Sequence, residues 1–375
     1  MNPTSIRAFA PDPRHRPEAI AERILPAELR HGRGAATNVS GRFEIERRED
    51  FDDGWTQDEA PEPLQTEVTW EKPKAIITRN ESPDIPFDRS INPYRGCEHG
   101  CFYCYARPAH AYMGLSAGLD FESRIMVKEN ASELLEAELS SPRWKPQTLV
   151  MSGVTDPYQP VERRLKITRG CLQVLARFRN PVGIITKNQL VTRDLDLLGE
   201  LAAHGAAAVN ISITSLDSKL QRVLEPRTST PRARLDAIRR LLIAGIPVGV
   251  MTAPIIPGIN DHEIPTILEA AAEAGARFAG YTVVRLPYAV APLFERWLEE
   301  HFPDRKEKVL GRIRQLRGGD RLNDPRFKSR MRGEGIFAEQ IRDLFTVGCK
   351  RAGMGERPKL STEAFRRPKE QLTLF

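Results

Sequence analysis

Cys97-Glu98-His99-Gly100-Cys101-Phe102-Tyr103-Cys104 is the stretch on which the reading of this chain turns. Its three thiols are separated by three and then two residues. The Gly and aromatic residues between them leave no helix or strand period on which three cysteines would be buried as packing. The spacing suits a polynuclear iron–sulfur cluster, in which three thiolates hold three irons and one iron keeps no protein ligand. Such an iron can bind a small molecule, as an open zinc site does. The alternative is a zinc knuckle with His99 or His110 as the remaining ligand.

Outward from this loop, composition sets the bounds. The chain has 375 residues, 40% hydrophobic and 28% charged, which describes a soluble globular protein of one large or two ordinary domains. No apolar run is long enough to span a bilayer, and the first residues lack the apolar stretch of a secretory signal. Five cysteines, three of them clustered, argue for a reducing compartment, so a cytoplasmic protein with no membrane partner is expected. The net charge is +6, yet His301 to Phe375 alone carries 19 Lys and Arg against 10 Asp and Glu. That excess reads either as a solvated tail or as a footprint for a polyanion such as nucleic acid.

In chain order, residues 1–72 read as a poorly structured N-terminal arm, dense in Pro and charge, that Phe43, Phe51 and Trp55 would pin to the body. Lys74 to Thr78 is a short strand candidate. From Ser90 onward β-branched runs alternate with helical patterns. Strands are expected at Thr148–Ser152, Val182–Thr186, Ala208–Thr214, Pro247–Ala253 and Phe278–Arg285. Between them Ile167, Cys171, Val174, Leu175 and Phe178 form one apolar helix stripe. Thr192 and Asp261 each open a helix, and Thr230-Pro231 opens another that ends at Gly245. Such alternation means βαβ units and a parallel sheet, either a partial barrel or a flat doubly wound sheet. With a first strand entering the cysteine loop, six strands are counted over residues 73–292. Beyond them 293–352 reads as a helical basic extension, and 353–375 as a flexible tail.

The motif C-x-x-x-C-x-aromatic-C, matched by Cys97, Cys101, Tyr103 and Cys104, resembles the signature of radical S-adenosylmethionine (SAM) enzymes. The wider segment Ile91-Asn92-Pro93-Tyr94-Arg95-Gly96 through Tyr105-Ala106-Arg107-Pro108 is similar to the branch that includes spore photoproduct lyase. The resemblance implies a partial (β/α)6 barrel, a [4Fe-4S] cluster whose open iron chelates SAM, and reductive cleavage of SAM to a 5′-deoxyadenosyl radical. It also implies an electron donor such as flavodoxin or ferredoxin. Six strands do not close as eight do, so a lateral opening would admit a large substrate.

In parallel α/β folds chemistry gathers at the carboxyl ends of the strands. After the second barrel strand Gly153 permits close backbone approach, and Ser152, Thr155 and Asp156 offer hydrogen-bonding groups. The family holds the SAM amino group there, commonly with a Gly-Gly-Glu-like segment; this chain has Ser-Gly-Val-Thr-Asp instead. Lys187 at the third strand end resembles the lysine that meets the SAM carboxylate. Ser212 and Thr214 share one strand face, toward the ribose or toward polar neighbours inside the barrel. Pro257-Gly258 resembles the segment beside adenine and ribose, and Tyr103 the residue whose backbone recognises the adenine. A hydrogen-atom donor in the lyase class is a cysteine. Cys171 lies on the apolar helix stripe, which leaves Cys349, in a basic setting expected to lower its pKa.

Three function classes are open: a radical SAM enzyme that repairs or modifies DNA; one acting on RNA, protein or a small metabolite; and a non-enzymatic zinc or nucleic-acid-binding module. The final residues favour the first. Gln371, Leu372, Leu374 and Phe375 resemble the peptide that binds the bacterial sliding clamp.

Overall fold

A computed structural model of the chain describes residues 25, 26, 29, 30, 32–39, 43 and 63–368. Short runs rich in Val, Ile and Thr form the strands, in chain order β1 (Glu67–Glu71), β2 (Ile77–Arg79), β3 (Arg89–Ile91), β4 (Tyr94–Arg95) and β5 (Arg124–Lys128). They continue with β6 (Leu149–Met151), β7 (Val182–Thr186), β8 (Ala207–Ser212), β9 (Val248–Ile255) and β10 (Phe278–Val283). All five strands expected after the cysteine loop are present, and the first barrel strand is β3. The strand expected at Lys74–Thr78 lies slightly later, as β2. The small sheet β1-β5-β4 was not anticipated.

The main sheet runs β10-β9-β8-β7-β6-β3-β2, with β2 antiparallel to β3 and every other pair parallel. Each of its six parallel strands therefore pairs with the next parallel strand in the chain. A doubly wound sheet must reverse its order at a switch point, and no reversal occurs here. The strands β10 and β2 stand at opposite edges. The architecture is the open α/β partial barrel.

Helices cover the outer face. The stripe on Ile167–Phe178 is buried as periodicity required, and Cys171 on it is 0% exposed. Thr230 caps Pro231–Ile243, its side chain accepting from the Ala233 amide at 3.4 Å. Thr192 and Asp261 instead sit in 3-10 turns that lead into Leu195–Ala202 and Ile264–Ala274.

The C-terminal extension is helical, over Val290–His301, Lys306–Leu316 and Ile336–Arg351. Its last helix lies on the outer helix Ile264–Ala274, so closely that a Cβ on Gly348 would sit 2.7 Å from Leu268. The following tail corrects the expectation of a flexible segment. Gly355 pairs with Phe278, and the Ser361 amide donates to the Gly205 carbonyl at 2.9 Å. The Arg366 amide donates to the Phe178 carbonyl at 2.9 Å, and Arg367 to the carbonyls of Ser141 and Trp144 at 3.0 Å. These partners lead into β10, β8, β7 and β6, so the tail is laced along the amino edge of the barrel. Gln371, Leu372, Leu374 and Phe375 lie outside the described residues, as do Phe51 and Trp55.

The described part of the N-terminal arm is mostly irregular but attached. Beyond β1, Arg33, Ala35, Ala36, Thr37 and Val39 are buried, and the Phe43 ring lies 5.2 Å from that of Tyr112.

Candidate active site

The cysteine loop follows β3 and β4 at the carboxyl end of the sheet, where Gly96 (φ +82°) and Gly100 (φ +67°) supply left-handed turns closed to other residues. The barrel holds it from several sides. Gln159, fully buried, accepts from the Glu98 amide at 2.9 Å and donates to the Gly96 carbonyl at 3.1 Å. Arg107, equally buried, donates to the Cys101 carbonyl at 2.9 Å. His99 is engaged at both ring nitrogens, by Asp156 at 3.4 Å and by Asn188 at 3.3 Å. It is therefore not free to serve as a zinc ligand.

Cys97 and Cys101 are buried and Cys104 is half-buried; Cys97 and Cys104 share the small apolar cluster around Phe121. Burial pushes all three thiols up, with Asp156 adding to the rise at Cys97, Glu225 at Cys101 and Glu122 at Cys104. Thiolates in such a place need positive charge close by, and metal supplies it. Among the described residues no three His, Cys, Asp or Glu converge on a point that could hold a single ion. Three clustered thiols, with His99 engaged elsewhere, are the donor set of a cluster that keeps one iron without a protein ligand. The donor set fits the cluster.

Beside the loop lies a buried ionic network centred on Glu225, which sequence reasoning missed. Its carboxylate accepts from Tyr103, Thr214 and Arg234 and pairs with the Lys187 ammonium at 2.9 Å. Burial alone would push the Glu225 carboxyl up; Arg234 first, then Lys187 and the two hydroxyls, hold it well below the usual range. Lys187 also donates to Thr214 at 3.1 Å and to the Ala253 carbonyl at 3.0 Å. All three of its protons thus have protein acceptors, unlike those of the solvated lysine a strand end suggests. The only signal for Glu225 was an isolated acid in Leu224-Glu225-Pro226-Arg227, which has no period to flag it.

The other sequence candidates divide by position. Ser152 (φ +148°) and Gly153 (φ +108°) follow β6 in strained backbone, and a Cβ on Gly153 would meet nothing within 4 Å. The Gly153 backbone is therefore open to a close approach. Thr155 and Asp156 look inward. The Thr155 hydroxyl donates to the Tyr94 carbonyl at 3.2 Å. Asp156 accepts from the Thr186 hydroxyl at 2.7 Å and the Lys187 amide at 2.8 Å. Burial raises the Asp156 carboxyl, but His99 and these donors bring it below its ordinary value. Ser212 is buried, its carbonyl taken by Arg234 at 2.8 Å. Pro257-Gly258 abuts the extension, with Arg312 and Val309 of Lys306–Leu316 next to Gly258.

Cys349 needs correction. It lies on the outer helix Ile336–Arg351, six residues before the Gly355 that meets the amino edge of β10, and burial raises its thiol rather than lowering it. The surrounding basic residues face solvent and leave the thiol against apolar neighbours. His110, buried, donates from Nε2 to the Arg124 carbonyl (3.1 Å) and packs edge-on to Phe121.

Residues 91–271 match the model of the Radical SAM superfamily. An uncharacterised protein of Mycobacterium tuberculosis is 36% identical over 236 residues, covering 62% of this chain and 68% of that one. The chain belongs to the Radical SAM superfamily. A radical SAM Nα-GlyT isomerase of Pseudomonas phage M6 is 25% identical over 221 residues, 58% of this chain and 44% of that one. Among solved structures, spore photoproduct lyase complexed with dinucleoside spore photoproduct superposes with a TM-score of 0.54 at 15% identity, over 76% of this chain and 80% of that one. At that identity the likeness speaks for the fold. Radical SAM proteins work with a [4Fe-4S] cluster and SAM, and these are the cofactors of this chain.

Proposed function

We propose that this radical SAM protein cleaves SAM reductively at a cluster held by Cys97, Cys101 and Cys104, and acts on DNA in repair or base modification. The observation that carries the DNA reading is an aromatic and arginine rim beside the cysteine loop. Tyr105, next after Cys104, is 47% exposed, and its hydroxyl donates to the Gly153 carbonyl. Arg285, just past the end of β10, lies 5.2 Å over that ring. Asp84, the acid in its surroundings, is taken by Arg330. Arg330 in turn lies 4.5 Å over the ring of Phe327, which is 54% exposed. Exposed rings with guanidinium groups at the mouth of a site suit a splayed base and its phosphates. The lyase structure is complexed with a dinucleoside spore photoproduct, which agrees with a nucleic-acid substrate here.

When bound, the cluster and SAM supply one-electron cleavage of SAM to methionine and a 5′-deoxyadenosyl radical. The chain's part is to place SAM. The open Ser152-Gly153 backbone takes its amino group. Lys187 would offer its ammonium to the carboxylate by sharing a proton now given to Thr214 or Ala253. Ser212, Thr214 and Pro257-Gly258 line the nucleoside side, with the Tyr103 backbone at the adenine. Electrons come from a donor such as flavodoxin or ferredoxin. The tail ends its described course at Pro368 on the amino edge, opposite the cysteine loop. A sliding clamp bound by Gln371, Leu372, Leu374 and Phe375 would tether the enzyme to DNA without covering its mouth.

The test is anaerobic reconstitution and dithionite reduction with SAM, with 5′-deoxyadenosine release measured against single-stranded and damaged DNA, RNA, peptides and metabolites. DNA is expected to stimulate release in the wild type. In Arg285→Ala the apparent DNA affinity should fall about tenfold, the size of one lost base or phosphate contact. Stimulation by RNA, peptide or metabolite but not DNA would overturn the reading. Purified clamp should bind the full chain but not one ending at Glu370.

A further inference from the structure

The cluster loop is held from the barrel side by Gln159, Asp156 and Asn188, and its other side is covered by a piece of the N-terminal arm that no barrel element requires. Residues 32–39 cross the loop in irregular backbone. Gly34 lies so close that a Cβ there would collide with the Gly100 carbonyl, and Gly118 is similarly closed by the Thr37 carbonyl. No left-handed φ is involved at Gly34, so glycine is needed there for closeness alone.

One carboxylate fastens this crossing. Glu122, 0% exposed, accepts from the amides of Gly34 at 2.8 Å and Ala35 at 2.9 Å. It also pairs with Arg107, which holds the Cys101 carbonyl. Arg33 adds a second fastening, donating to the Glu122 carbonyl at 2.6 Å, the Leu64 carbonyl at 3.1 Å and the Thr66 hydroxyl at 3.0 Å. Thr66 donates in turn to Glu98, the residue after Cys97, at 2.6 Å. The arm thus reaches the loop next to Cys97 through Glu98 and next to Cys101 through Glu122 and Arg107. With it in place, Cys97 and Cys101 are each 8% exposed.

We propose that the segment Gly32–Val39 is a strap belonging to the cluster site: clamped by Glu122 and Arg33, it fixes the cysteine loop in its cluster-holding shape and closes its outer side to water and oxygen. Cluster retention is then set by the arm as well as by the three ligands, because groups that orient metal ligands and exclude solvent govern how firmly a site keeps its metal. Gly34, Arg33 and Glu122 are positioning residues that act through the loop. The inference rests on the cluster assignment, and the wild type separates the two. A wild type that takes up no iron sinks the assignment, while a loaded wild type leaves the strap to be judged by its variants.

The experiment uses the full chain. Wild type, Gly34→Ala and Arg33→Lys are reconstituted anaerobically, and the rates of cluster bleaching in air and of iron loss to a chelator are followed. Circular dichroism checks the barrel, and amide exchange at Ala35 reports whether the strap is seated. Gly34→Ala should unseat it, with an ordinary barrel spectrum, fast exchange at Ala35 and cluster loss roughly 10-fold faster. Arg33→Lys keeps the charge but cannot span three acceptors, so it should show the same changes in smaller measure. Wild-type retention in Gly34→Ala with Ala35 exchanging fast overturns the proposal. If Gly34→Ala does not fold, wild-type retention in Arg33→Lys with fast exchange does so.

Discussion

The two ends of the barrel are built on opposite terms. At the carboxyl end, charge is buried: Glu225 with Lys187 and Arg234, Glu122 with Arg107, and Asp156 beside His99 all lie within the walls around three thiols. At the amino end the tail crosses the strand ends through backbone hydrogen bonds, through the Arg366 and Arg367 guanidinium groups on the carbonyls of Arg177, Ser141 and Trp144, and through the Phe365 ring, 6.3 Å from Phe178. Buried ion pairs contribute little net stability, but removing one partner is costly. A chain that concentrates them at one end is holding polar groups in place for chemistry. At the other end the tail covers the amino ends of the strands, with hydrogen bonds to backbone carbonyls in place of ion pairs.

That contrast can be broken most decisively at the ligands. Cys104→Ala should leave a folded barrel with neither brown colour nor 5′-deoxyadenosine release; a variant that keeps both removes the cluster from this loop. Glu225→Gln comes next, since it leaves Lys187 and Arg234 buried against a neutral group. A loss of about 3–5 kcal/mol is expected in denaturant unfolding. The pH dependence sharpens it. The folded Glu225 carboxyl lies below its ordinary 4.5, so its contribution is full above that value and fades as pH falls through the folded pKa. Wild type should lose stability on acidification below about pH 4.5 more steeply than Glu225→Gln. Equal slopes would mean that folding does not lower the Glu225 carboxyl.

Lys187→Ala should spare the iron content and weaken SAM binding roughly tenfold, as for one charge-assisted contact, measured by calorimetry on the reconstituted protein. Unchanged affinity would assign Lys187 to Glu225 alone. Phe365→Ala, at the other end, should cost about 1–2 kcal/mol and leave SAM cleavage untouched, as expected for a half-buried ring. A fall in cleavage there would show that the two ends are coupled.

Much of the candidate site was legible because its three thiols lie close together in sequence. Cys97, Cys101 and Cys104 announce themselves by spacing, and Gly153 and Lys187 by following strands whose period is plain. Glu225, Arg234, Glu122 and Gly34 were not legible. Glu225, Glu122 and Gly34 matter through a partner far along the chain, Gly34 reaching Glu122 across 88 residues, and an isolated acid or glycine carries no period that marks it as buried. Cys349 misled for a related reason. Basic neighbours in sequence suggested a lowered thiol, yet on a helix those neighbours point to other sides.

By itself the sequence determined the order of strands and helices, the helical extension and the cluster motif, because hydrophobic period, caps and ligand spacing are local properties. Tertiary structure decided what covers each end of the barrel. An irregular arm and a polar tail have no pattern of their own; they hold their courses only where barrel carbonyls, amides and a buried carboxylate are already placed to receive them.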